Sequence, residues 1–172
     1  MSLSSLFGLF YALAYTQLPT DIINDIESAM EFAKFPRLDY EGRGEFTIPL
    51  NPNPISFSMH PLTPPGGYLG IDYFKYIHKN GHWHDCPWGI YWNLLRQQKD
   101  NRVGVEMGVN FFISDYGLRI INSENVCVAW DVSLWHGTSW YYNGLSHVGL
   151  AMVLSNHLDK EWAKFLEKNG DK

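Results

Sequence analysis

Apolar residues recur at helical spacing between Thr20 and Ala33, with Ile22, Ile23, Ile26 and Met30 on one face. With Thr20 and Asp21 at its head and the Phe35-Pro36 bond behind it, this stretch predicts a capped amphipathic helix. The segment before it, Leu3 to Leu18, is almost wholly apolar and has no Lys or Arg ahead of its apolar stretch. A secretory leader would carry that charge, so the expectation is a packed first element. From Glu45 onward the pattern changes to short β-branched and aromatic runs between turn residues. Strands are expected over Phe46 to Leu50, Ile55 to Met59, Tyr68 to Tyr76, Gly89 to Leu95, Arg102 to Met107, Asn110 to Ile113, Leu118 to Ile121, Val126 to Trp130 and His147 to Leu154. Turn chemistry at Pro61 to Gly67, Asp115 to Gly117, Asn122 to Asn125 and Asn143-Gly144 sets the spacing of an antiparallel sandwich or barrel. A last helix follows, with Asn156 or Asp159 as its N-cap, Trp162, Phe165 and Leu166 as its stripe and Gly170 as its stop.

The chain of 172 residues is one domain's worth, and its 45% hydrophobic content is enough to bury a core without disulfides or a structural metal. We take residues 1–172 as a single domain, mainly β, with a jelly roll as the natural closure and a helix at each end. Charged residues make up 18% and aromatics 16%, which excludes a disordered chain. The net charge of -5 disfavours extended nucleic-acid binding, which needs clustered cations. Cys86 and Cys127 form neither a CxxC pair nor an even framework, which fits a reducing compartment, cytoplasmic or nuclear. No apolar run is long enough to span a membrane.

The histidines concentrate the chemistry. His78, His82 and His84 fall within seven residues, and His136 follows the last central strand. Imidazole is a common metal ligand, and side chains two apart on an extended segment share a side, so His82 and His84 present two nitrogens together, as do His78 and Asn80. Val126, Val128, Trp130, Val132, Leu134 and His136 share a parity that carries His136 inward if the alternation persists through the turn at Asp131 to Ser133. A lone histidine among aromatics is ordinarily a hydrogen-bonded wall residue; it is the clustering that makes a metal site worth weighing. Aromatic rings gather around the same positions: Trp83, Trp88, Tyr91 and Trp92 by the early histidines, Trp130, Trp135, Trp140, Tyr141 and Tyr142 by the late one. Such rings fill a core or stack on a planar ligand, and Trp88, Tyr91, Trp135 and Trp140 are the candidates for substrate contact.

The order of helix, strands, early histidine cluster, the turn Ser114-Asp115-Tyr116-Gly117 and the late Trp135-His136-Gly137 resembles the iron(II)/2-oxoglutarate dioxygenases, nearest to the divergent fungal group related to the TET/JBP nucleobase hydroxylases. The resemblance covers roughly Gly66 to Ser155. It implies a double-stranded β-helix, iron(II), a His-x-Asp motif with a distal His, and a small-molecule or modified-base substrate. His78-Lys79-Asn80 matches the motif with Asn80 in the carboxylate's place, and His136 matches the distal ligand. A second registration sets His82 and His84 on the motif, giving three neutral imidazoles with His136. The family's 2-oxoglutarate-clamping Arg has no counterpart, since no Arg follows Arg119, and His147 stands in its place. The acid would then be held by His147, by Arg96 or by Lys75, or 2-oxoglutarate is not used. These residues imply a metal-dependent oxygenase; the alternatives are a non-catalytic binding module on the same fold, and a metal-dependent cupin isomerase or sugar-binding jelly roll.

Overall fold

Two helices open the described chain. The computed structural model describes residues 3–35, 45–48, 55–58, 66–81, 86–98, 104, 107–140, 144–154 and 156–169. Helix α1 (Leu3–Gln17) buries Phe7, Phe10, Tyr11 and Ala14, and α2 (Thr20–Phe32) buries the expected stripe of Ile22, Ile23, Ile26 and Met30. The α2 boundary differs from the expected one: Pro19 occupies the N-cap position, no side chain caps the helix, and Thr20 is its first helical residue. Pro19 has φ -53° and an extended ψ of 140°, so the helix starts at Thr20, one residue earlier than a Thr20 cap would place it. Helix α3 (Asn156–Asn169) docks on the end of α2, where the Trp162 indole N–H donates to the Ala33 carbonyl at 3.1 Å. Among the described residues no helix is long and apolar enough to cross a membrane.

The rest is antiparallel β structure. Strands β1 (Glu45–Ile48) and β2 (Ile55–Ser58) pair with each other as a ribbon. A four-stranded sheet has the order β3-β9-β4-β7, from β3 (Tyr68–Ile71), β9 (Leu145–Val153), β4 (Trp88–Gln98) and β7 (Cys127–Asp131). A three-stranded sheet has the order β6-β5-β8, from β5 (Phe111–Ile113), β6 (Leu118–Ile120) and β8 (His136–Thr138). An isolated bridge between His78 and His136 adds one more rung beside β8. Among the described residues no ladder joins the two larger sheets, so they do not close into a barrel. The strand expected over Arg102 to Met107 falls largely outside the described residues. The strand β8 was not expected, because three residues centred on a glycine offer no apolar run.

The pairings are nested. With the 3-10 turn Ser114–Tyr116 as the innermost point, β5 pairs with β6, β4 with β7, the His78 segment with β8, and β3 with β9. Among the described residues from Tyr68 to Val153 these pairings are concentric about that turn, and β4 with β9 and β5 with β8 join them into the two sheets. Alternation along β4 and β9 separates two cores. Ile90, Trp92, Leu150 and Met152 face the helices, with the Trp92 ring stacked on Phe10 at 5.7 Å. Phe111, Ile113, Val128, Trp130 and Val132 pack together between the sheets, with Tyr91 and Val153 against them.

Trp88 lies on the helix side of β4, its indole N–H donating to Asp25 Oδ2 at 2.9 Å. Trp88→Phe should cost about 1 kcal/mol, the worth of an ordinary hydrogen bond, in urea denaturation, and leave ligand binding between the sheets unchanged.

Candidate functional site

Between the sheets lies a cavity of about 570 Å³, within the range of small-molecule sites. On β9 its wall takes His147, Gly149, Ala151 and Val153, the positions that alternate with the helix-facing Leu150 and Met152. Tyr91 from β4, Phe111 from β5, Trp130 from β7 and His136 from β8 complete much of the interior, and Tyr68, Tyr73, Lys75, His78 and Asn80 come from β3 and the segment after it. Among the described lining residues there is one cation, Lys75, and no Asp or Glu.

The His78–His136 bridge organises one end. The His78 N–H donates to the His136 carbonyl at 2.8 Å and the His136 N–H donates back to the His78 carbonyl at 2.9 Å. Residues exchanging both bonds lie directly opposite each other and project to the same side, so the two imidazoles meet with ring centroids 4.4 Å apart. Each ring is held in the same way. His78 Nδ1 donates to the Tyr76 carbonyl and His136 Nδ1 to the Leu134 carbonyl, both at 2.7 Å. A carbonyl only accepts, so the proton sits on Nδ1 and leaves a lone pair on each Nε2 when the ring is neutral. Asn80 brings its side-chain amide nitrogen to 3.4 Å from His136 Nε2. His136 is 2% exposed, as the parity from Val126 onward implied. Burial pushes its pKa below the usual histidine range, and nearby His78 adds to this against the opposing pull of the Leu134 carbonyl and Asp131.

The opposite end is built on buried asparagines. Asn93, Asn110 and Asn122 are all buried. Asn93 donates to the Ser123 carbonyl at 2.7 Å, and the Asn122 N–H donates to Asn110 Oδ1 at 2.9 Å. The Tyr91 hydroxyl donates to Asn93 Oδ1 and accepts from Asn122 Nδ2, each at 3.3 Å. Burial holds the Tyr91 phenol above its ordinary pKa, so the hydroxyl stays protonated. Asn122 falls in an expected turn and Asn93 and Asn110 on expected strands, where nothing local marks their long-range partners.

Two rings of the interior lie over glycines. A Cβ on Gly89 would stand 2.7 Å from the Trp130 ring, its cross-strand neighbour, and a Cβ on Gly149 would stand 2.5 Å from the Tyr91 ring. Only glycine permits these side chains to lie flat against the sheet.

The expected site residues divide. His78, His136, His147 and Tyr91 line the one cavity, while His82 and His84 lie outside the described residues. Trp88 faces the helices. Trp135 is 46% exposed beneath Lys79, and Trp140 is 69% exposed with its edge on Phe74; neither lines the cavity. Arg96 donates to the carbonyls of Met107, Gly108 and Asn122, so its guanidinium ties down the segment beside β5. Among the lining residues outside the substrate-contact candidates are Phe111, Trp130 and Asn122; Trp130 stood in the ring cluster around His136, and strand parity on β5 carried the signal for Phe111. Among the described residues no three His, Cys, Asp or Glu side chains converge as a metal-holding group.

His147 is buried, and burial lowers its pKa, with Asp72 pulling upward and Arg96 downward. Above about pH 6.5 the ring is neutral in folded and unfolded chains alike. Below that, the unfolded chain takes up a proton that the folded one resists, so stability falls with falling pH until the folded ring titrates. His147→Gln should therefore flatten the decline in unfolding free energy from pH 6.5 to 5, measured by denaturant titration at each pH; an unchanged slope would contradict a neutral buried ring.

Comparison of the chain with protein-family models, with curated proteins and with solved structures finds no match in any of the three.

Proposed function

We propose that this chain is a metal-dependent oxygenase on a jelly roll of the double-stranded β-helix kind, oxidising an organic substrate with dioxygen in the cavity between its sheets. The nested pairing supports the architecture: counting the His78 segment, eight strand positions pair first with eighth, second with seventh, third with sixth and fourth with fifth. One observation carries the functional reading. His78 and His136 are paired across a bridge with both Nδ1 atoms committed to carbonyls, which directs two imidazole Nε2 lone pairs into the cavity, that of His136 accepting from the Asn80 amide nitrogen at 3.4 Å.

His78 and His136 would supply two imidazole ligands to a divalent transition metal of the iron(II) type; the Asn80 amide nitrogen faces His136 Nε2 as a hydrogen-bond donor, and no third ligand stands among the described residues. When bound, such a metal supplies activation of dioxygen. The chain itself orients the imidazoles through the Tyr76 and Leu134 carbonyls, lines one side of the site with Phe111 and Trp130, and would set the far end of the substrate against the Tyr91 hydroxyl. His147 lies on β9 where the resemblance implies the acid-clamping side chain, and a neutral imidazole there is a poor clamp, so 2-oxoglutarate is the less favoured cosubstrate.

A second reading is favoured by Asn80 itself: with an amide in the carboxylate's place, the fold serves as a non-catalytic binding module. Metal analysis of protein purified without chelator, with oxygen uptake and succinate formation measured after iron(II) and 2-oxoglutarate are added, separates them. Near-stoichiometric iron with oxygen consumption is expected. A folded, metal-free protein that consumes no oxygen leaves the module.

A further inference from the structure

We infer that the cavity selects an uncharged aromatic molecule carrying an O–H or ring N–H donor, and that this donor bonds to His78 Nε2. The inference goes beyond both readings above because it needs no metal: it names what the metal-free chain holds.

The first ground is an uncommitted acceptor. Both imidazoles keep their proton on Nδ1, against the Tyr76 and Leu134 carbonyls. The His136 Nε2 lone pair accepts from the Asn80 amide nitrogen at 3.4 Å, whereas that of His78 has no hydrogen-bond partner among the described residues. Trp130 Nε1 and His147 Nδ1 also lack partners, but they are sealed in the protein. The His78 nitrogen is not sealed: it belongs to a half-buried residue of the cavity wall and is accessible. A neutral imidazole nitrogen without a proton only accepts, so its match on a ligand is a donor.

The second ground is charge. The described lining holds no Asp or Glu, and its one cation, Lys75, is exposed. A ligand ammonium drawn among these groups would leave water without meeting a counter-charge, and that cost excludes it.

The third ground is shape. A continuous wall of rings leads to His78. Phe111 and Trp130 lie 5.0 Å apart between centroids, His136 is 5.9 Å from the first and 5.5 Å from the second, and His78 is 4.4 Å from His136. A flat ligand gains offset and edge contacts along this wall, and the imidazole at its end fixes where the ligand's polar group points.

Calorimetric titration of the full chain at pH 8, above the ordinary histidine range, compares 2-naphthol with 2-methoxynaphthalene and indole with 1-methylindole. Within each pair only the donor is lost, and the two pairs distinguish O–H from N–H. In at least one pair the donor is expected to bind about tenfold more tightly than its methylated partner, roughly the worth of one hydrogen bond. The 1-naphthylmethylammonium ion should bind more weakly than 2-naphthol by about tenfold or more. His78→Phe keeps a ring and removes the acceptor, and should bring each pair to within about twofold; the unmutated protein decides the matter if that variant fails to fold. Equal binding within both pairs, an ammonium as tight as 2-naphthol, or a donor preference that survives His78→Phe overturns the inference, as does absence of binding by all of these probes. A metal on His78 would take the same lone pair, so the iron and oxygen measurements above judge the metal reading separately: a metal-free protein that prefers the donor ligands removes that reading and keeps this one.

Discussion

Replacing His136 by alanine is expected to lower divalent-metal affinity by more than about 100-fold while the fold persists, because the change removes a direct donor, and loss of a mere supporting contact already costs 10 to 100-fold. The backbone rung survives, since His78 and His136 exchange main-chain bonds that need no imidazole. What disappears is an Nε2 held in place by the Leu134 carbonyl and faced by His78 and Asn80. Equilibrium dialysis with cobalt(II), with circular dichroism as the control for folding, checks it. The same series at His78, His82 and His84 ranks the early histidines, with His78→Ala expected to match His136→Ala. Retained metal in both variants would remove the basis for the metal site.

Gly149→Ala is expected to destabilise the protein by about 2–3 kcal/mol, the upper part of the range for overpacking. Alanine in a strand interior normally gains on glycine, so the sign itself is diagnostic. Here the new methyl would meet the Tyr91 ring at 2.5 Å, and the ring cannot swing aside without breaking its hydroxyl's bonds to Asn93 and Asn122. Thermal melting should fall by about 2–4 °C for each kcal/mol. Combining the change with Tyr91→Ala should cost less than the two single variants together, since the clash needs both groups. Strict additivity would show that the tyrosine does not lie on the glycine.

Period-two patterning carried much of this in the sequence. The run from Val126 to Trp130 set the parity that turns His136 inward, and the tight turn at Asp131 to Ser133, where the Asp131 carboxylate binds the Ser133 N–H and hydroxyl, kept it. The same rule applied to β4 separates Trp88 from Tyr91: three positions apart, they face opposite sides of the sheet, one toward the helices and one toward the cavity. Grouping aromatics by closeness to a histidine, without parity, placed both in one set. The exposed Trp135 and Trp140 entered it the same way. Less was legible where polar residues do interior work. Asn122 falls in an expected turn and Asn93 and Asn110 on expected strands, and only long-range pairing makes them a buried network. Arg96 read as a candidate acid clamp because a guanidinium's partners are invisible in sequence; three carbonyls engage it.

The nested pairing also orders the way the chain finds its shape. Contacts of small sequence separation close the shortest loops and cost the least entropy, so the Ile113 to Leu118 rung is available first and zippering proceeds outward through Trp92 with Cys127, then His78 with His136, and last Tyr68 with Ala151. The imidazole pair therefore meets only after the inner rungs are set, and the outermost strand, which carries Tyr68 and Leu69 to the cavity, closes over donors already in place.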